Sequence, residues 1–98
     1  MREGNPDDAE HWEWDEANER ELAGHGVTPT EVEEVWEDGS PIMKNKKSRS
    51  AAWKMVGRTQ GGRTLSIYFN YDPTRLSIRT VTGWDSPAGD RSRYLGEK

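Results

Sequence analysis

RTLSIYFNYDPTRLSIRTVT, residues 63–82, decides how this chain folds. Leu65, Ile67, Phe69 and Tyr71 alternate with Thr64, Ser66, Tyr68 and Asn70, the period of a strand with one apolar and one polar face. Asp72-Pro73-Thr74 then predicts a turn, because proline presets its own φ and the flanking side chains hydrogen-bond local backbone. The spacing predicts a further strand over residues 75–82, with Leu76 and Ile78 on one side and Ser77, Arg79 and Val81 on the other. Upstream, residues 53–58 place Trp53 and Met55 on one face and Lys54 and Val56 on the opposite one, and Gly61-Gly62 supplies the intervening turn. Together these segments read as a three-stranded antiparallel meander.

Towards the N-terminus the period changes from two to that of a helix. Thr28-Pro29-Thr30-Glu31 is a capping box with proline at the first helical position. Val27 and Val32 stand where a hydrophobic staple needs them, Val32, Val35 and Trp36 form an i, i+3, i+4 stripe, and Gly39 and Pro41 stop the helix, which is expected over Pro29–Glu37. Asp15 caps an acidic helix over Glu16–Ala23 that ends at Gly24 or Gly26. His11-Trp12-Glu13-Trp14 alternates as a short first strand with both indoles on one face. At the other end, Ser86-Pro87 forms a cap and first-turn pair for a short final helix through Tyr94. The order of elements predicts an α+β fold: short N-terminal strand, two helices, three-stranded antiparallel meander and short C-terminal helix. Residues 1–10 read as a mobile acidic tail, 11–95 as one domain and 96–98 as a C-terminal tail.

Composition narrows the chemistry. Leu, Ile, Val and Phe number only 13, so the five Trp and three Tyr must supply much of the buried area. With no cysteine there is neither a disulfide framework nor a thiolate zinc site, and two histidines with no carboxylates at ligand spacing give no expectation of a metal or cofactor. No apolar run reaches membrane-spanning length and no signal-peptide layout opens the chain, so a cytoplasmic protein is expected. Residues 1–42 carry 2 basic and 14 acidic side chains, whereas residues 43–98 carry 12 basic and 4 acidic. Such a split suits a domain that holds a polyanion on its basic side.

Trp12-Glu13-Trp14-Asp15, Asn18, His25-Gly26-Val27-Thr28-Pro29, Glu31 and Glu34-Val35 together resemble the opening of the BrnT family of toxins, which are similar to RelE-type ribonucleases of type II toxin-antitoxin pairs. Ser48-Arg49-Ser50, Val56-Gly57-Arg58-Thr59, Gly62-Arg63-Thr64-Leu65, Ile78-Arg79, Thr82-Gly83-Trp84, Asp90-Arg91 and Tyr94 extend the resemblance across residues 11–95. No single piece is specific; the ordered set is. The chain departs from many relatives at Trp84, where they carry Arg, and at Asp90, where they carry Glu, so no role of that Arg is transferred. The resemblance implies a RelE-like fold and a bacterial toxin that acts as a metal-independent endoribonuclease on mRNA at the ribosome, inhibiting translation. It also implies a cognate antitoxin protein that covers the site in a hetero-oligomer.

Metal-free RNA cleavage needs a base for the 2′-hydroxyl, cations around the scissile phosphate and an acid for the departing oxygen. Arg79, which matches an Arg of the family, Arg58, Lys54, Tyr94 and His25 are the candidate catalytic side chains. Lys44, Lys46, Lys47, Arg49, Arg63 and Arg91 are the candidate RNA-binding ones, most of them in a lysine-rich loop beside the meander. Each has a plainer reading. Strand Arg and Lys side chains form the solvated face of a sheet covered on one side, and a Gly-His-Gly helix end uses its histidine to satisfy carbonyls. Asp90, Arg91 and Tyr94 share a helix face that serves either phosphate or packing, and Trp53 and Trp84 serve either base stacking or the core. The alternative function is a non-catalytic protein-interaction or RNA-binding module on the same fold.

Overall fold

Local side-chain bonds set the start of both N-terminal helices. Asp15 accepts from the Asn18 amide at 3.0 Å, while Asn18 Oδ1 accepts from the Asp15 amide at 2.8 Å and Asn18 Nδ2 donates to the Glu13 carbonyl at 2.7 Å. This reciprocal box opens α1, Glu16–Ala23. Thr28 and Glu31 do the same for α2, Pro29–Glu37, with bonds of 3.2 and 3.1 Å. Both helices occupy the spans their capping signals mark.

The computed structural model describes residues 4–46 and 50–96. Five strands, β1 His11–Trp12, β2 Ile42–Lys44, β3 Trp53–Arg58, β4 Thr64–Asp72 and β5 Ser77–Asp85, form one sheet in the order β1-β5-β4-β3-β2. The expected three-stranded meander is the middle of this sheet, and the correction lies at its edges. β1 pairs in parallel with β5 through Trp12 and Ile78, and β2 pairs antiparallel with β3 through Ile42 and Met55. Lys44, which the sequence places in a basic loop or the fraying start of a strand, ends one that begins at Ile42. The last meander strand is also displaced from its expected span. Leu76 adopts φ 53 in the turn, so the strand begins at Ser77, and an irregularity opposite Tyr68 and Phe69 lets pairing continue to Asp85. The terminal helix α3, Ala88–Leu95, has Pro87 at its cap position and no side-chain cap bond. Ser86 is not the cap, because its hydroxyl pairs with that of Ser66 at 2.8 Å.

Register sorts the sheet into two unlike faces. Leu65, Ile67, Phe69, Met55 and Ile78 meet Leu22 of α1, and Val27, Val32 and Val35 from the start and body of α2, in one buried cluster. Trp36 lies edge-on to Phe69 and Trp12, and Trp12 stacks on Trp14 at 5.6 Å, bringing both indoles of the first segment to the same margin. Residues 4–10, expected within the N-terminal tail, include a 3-10 turn over Pro6–Asp8 with Pro6 buried, and Glu10 donates to the Leu76 carbonyl at 2.7 Å. The other sheet face carries Lys54, Val56, Ser66 and Tyr68, over which α3 reaches from the end of β5.

Gly57 in β3 lets α2 approach the sheet. A Cβ there would lie 1.7 Å from Ser40 Oγ and 2.6 Å from Ser40 Cβ, and Ser40 Oγ donates to the Val35 carbonyl at 2.6 Å. Gly57→Ala is expected to lower stability by about 2 to 3 kcal/mol through overpacking and loss of that bond. Gly89→Ala, on an exposed position with nothing within 4 Å, is expected to leave stability unchanged or slightly raised. Denaturant midpoints of the two variants check the contrast.

Candidate nucleic-acid interface

Strand register assembles a groove on the polar sheet face. Lys54 of β3 stands opposite Tyr68 of β4, which stands opposite Thr82 of β5, and the next rung places Trp84 opposite Ser66. Lys54, Tyr68, Thr82 and Trp84 line a groove of about 440 Å³ together with Asn45, Lys46 and Ser50.

Lys54 is the fixed cation of this groove. Its Nζ lies 3.0 Å from Asp90 Oδ1 and 5.3 Å from the ring centroids of both Tyr68 and Tyr94. Ser66 donates to Asp90 Oδ2 at 2.7 Å, which leaves Ser86 as the donor in the Ser66–Ser86 pair. Burial favours neutral Lys54, but hydrogen bonds and charge from Asp90 and Tyr68 outweigh it and raise the ammonium pKa above its ordinary value. Burial likewise pushes Asp90 up, yet the Ser66 and Lys54 hydrogen bonds prevail and hold its carboxyl below the usual range. Lys54 is therefore a cation and not a base near neutral pH. Trp84 forms the adjacent wall, its ring centroid 5.1 Å from Tyr68 and 5.4 Å from His25. His25 Nε2 lies 3.3 Å from Glu21 Oε2, which also accepts from Thr82 Oγ1 at 2.8 Å.

The remaining candidates separate. Arg79 stands opposite Asn70, whose side chain holds the Ser50 carbonyl and the Ala52 amide beside the groove. Its guanidinium reaches Asp15 at 2.5 Å, and that hydrogen bond lowers the Asp15 pKa and raises its own. Arg63 is a structural hub. It donates to both Asp85 oxygens at 2.7 and 3.1 Å, to Glu31 at 3.1 and 3.2 Å, and to the Gly26 carbonyl at 2.6 Å. The Asp85 bond leads in raising the Arg63 pKa and in lowering that of Asp85. Arg58 ends β3 beside Glu34, Glu37 and Asp38 of the α2 side, away from the groove. Lys44 lies over the Trp53 ring at 5.6 Å, Lys46 is on the groove rim, and Arg91 is exposed on α3. Lys47 and Arg49 fall outside the described residues.

Sequence reasoning missed Tyr68, Thr82 and Glu21. The first two needed the strand register; Glu21 carried a readable signal, its i, i+4 spacing to His25. Among the described residues, no group of three or more His, Cys, Asp or Glu is placed to hold a metal ion, and no helix is long and apolar enough to cross a membrane.

Fold and groove together define a small α+β domain with an aromatic-lined, cation-floored cleft on one side of a mixed sheet. No protein-family model matches the chain, and no curated protein matches it.

Arg63→Ala is expected to cost about 2 kcal/mol, more than the 0 to 1 kcal/mol of an exposed pair, because several charge-assisted bonds go at once. Asp90 gives a pH signature. Its lowered folded pKa stabilises the fold fully above about pH 4, and that contribution is lost as pH falls through the lowered value. Asp90→Asn should therefore reduce stability at pH 7 and flatten the acid limb of a stability-versus-pH curve. The raised Lys54 pKa acts oppositely, stabilising below its ordinary 10.5 and fading as pH rises through the higher folded value.

Proposed function

We propose that the chain is a BrnT-like toxin that binds mRNA in the groove above Lys54 and cleaves it, inhibiting translation until a cognate antitoxin covers the site. The observation that supports this best is an ammonium group held between two tyrosine rings at the floor of an aromatic-walled cleft. Single-stranded RNA is held by stacked bases and backbone cations, and both kinds of contact are present here. The 2′-hydroxyl loses a proton to a base, its oxygen attacks phosphorus, and the 5′-oxygen leaves with a proton. Lys54 opposes the charge that develops on the phosphoryl oxygens, with Tyr94 beside it as a hydroxyl donor and Lys46 on the strand's path. Arg79 and Asp15 have side chains 41% and 50% exposed, so solvent screens their pair and a phosphate competes for the guanidinium.

One observation favours the second reading, a non-catalytic RNA-binding or protein-interaction module. Lys54, Arg63 and Arg79 are all engaged with carboxylates of this same chain.

Induction of the protein alone should arrest growth, and Arg79→Ala should relieve the arrest while leaving the unfolding transition in place. Purified protein should cut ribosome-loaded mRNA. Binding without cleavage supports the second reading, and normal growth with abundant soluble wild-type protein overturns the toxin reading.

A further inference from the structure

His25 is exposed, yet its ring makes contacts that a helix-end histidine does not require. Its amide donates to the Leu22 carbonyl at 2.9 Å, while Arg63 donates to the His25 carbonyl at 3.5 Å and to that of Gly26 at 2.6 Å. Its ring stands edge-on to Trp84, 5.4 Å between centroids and 71° between planes, and its Nε2 lies 3.3 Å from Glu21 Oε2. Glu21 is itself held, since the same oxygen accepts from Thr82 Oγ1 at 2.8 Å, and Thr82 lines the groove. Among the described residues, the imidazole makes its contacts with the side chains of Glu21 and Trp84. It is oriented by a carboxylate on α1 and an indole on β5, beside the cleft.

An ionised carboxylate only accepts hydrogen bonds, so the ring nitrogen facing it carries the proton. In the neutral imidazole, the lone pair then resides on Nδ1. We propose that Glu21 is a positioning residue that fixes His25 in the Nε2–H tautomer, making Nδ1 the proton acceptor for the 2′-hydroxyl of an RNA strand lying across Trp84. The inference rests on the ribonuclease reading and supplies the base that protonated Lys54 cannot be. Nδ1 takes the 2′-hydroxyl proton as the 2′-oxygen bonds to the adjacent phosphorus. The bond from phosphorus to the 5′-oxygen breaks with its electron pair on that oxygen, which takes a proton from water. A 2′,3′-cyclic phosphate and a 5′-hydroxyl result, and the imidazolium returns its proton to water. No oxidant or cofactor enters.

Two readouts on the full chain test this. Long-range proton–nitrogen correlation spectra, with the His25 signals identified by their loss in His25→Ala, should show predominantly the Nε2–H tautomer in the wild type and a mixture in Glu21→Ala. In cleavage of ribosome-loaded mRNA, Glu21→Ala should lower kcat by about 10- to 100-fold with KM little changed. His25→Ala should lose at least as much, and the double variant should fall no further than His25→Ala because the two residues act as one unit. Glu21 is exposed and alanine suits a helix, so the fold should survive the change. An Nδ1–H tautomer in the wild type, or unchanged kcat in Glu21→Ala, overturns the inference and leaves the ribonuclease reading standing. A wild type that shows the expected tautomer and cuts no RNA overturns that reading, and the proposed catalytic role of His25 falls with it.

Discussion

Scarcity of aliphatic side chains governs this molecule. With only 13 Leu, Ile, Val and Phe residues, the chain has enough apolar material to seal one side of its sheet. Leu65, Ile67, Phe69 and Ile78 go beneath α1 and α2, joined there by Met55. The opposite face must be finished with aromatic and polar groups, and α3, which has no buried residue, is held there by Asp90 rather than by an apolar stripe. A cation among tyrosine rings and an accessible indole are what remain when a core is this thin. The groove is thus a consequence of composition as well as a candidate site.

The division of charge along the chain acquires a second meaning in three dimensions. Glu13 pairs with Arg75, Asp15 with Arg79 and Glu31 with Arg63, each joining a carboxylate of the acidic N-terminal part to a guanidinium of the basic remainder. Exposed pairs such as Glu13–Arg75 contribute little, whereas Arg63, with four acceptor groups around it, ties the turn between α1 and α2 to the ends of β4 and β5. Acidic residues that read from sequence as a separate surface are in part the counter-ions of the basic one. Arg79 is accordingly less central to the groove than its mid-strand position suggested, and Lys54 more so.

Local chemistry was legible where it is short-ranged. Asp15 with Asn18, and Thr28 with Glu31, mark both helix starts because each box closes within three residues. Strict alternation from Leu65 to Tyr71 marks β4 for the same reason. Ile42–Lys44 escaped because three residues after a proline carry no period, and pairing with β3 alone makes them a strand. Leu76 fits the apolar alternation yet adopts a left-handed turn conformation, since the tight connection from Asp72 to Ser77 outweighs the preference of its side chain. Ser86 misled for a related reason: a buried hydroxyl on Ser66 competes for it more effectively than a helix amide. In the site, Lys54, Tyr94 and His25 were readable as residue types, but the company they keep was not. Tyr68, Thr82 and Glu21 acquire roles only through register and helix placement.

Parallel pairing of the first strand with the last has a consequence for how the molecule comes into being. His11 and Trp12 find their partners at Ser77 and Ile78, so the earliest structured segment has no ladder to join until nearly the whole domain has left the ribosome. Until then α1 and α2 can show their caps but have no sheet to rest on, and neither the groove nor its walls exist. Val81, Thr82 and Trp84 line the cleft, so whatever it binds finds no complete site before the last strand is in place.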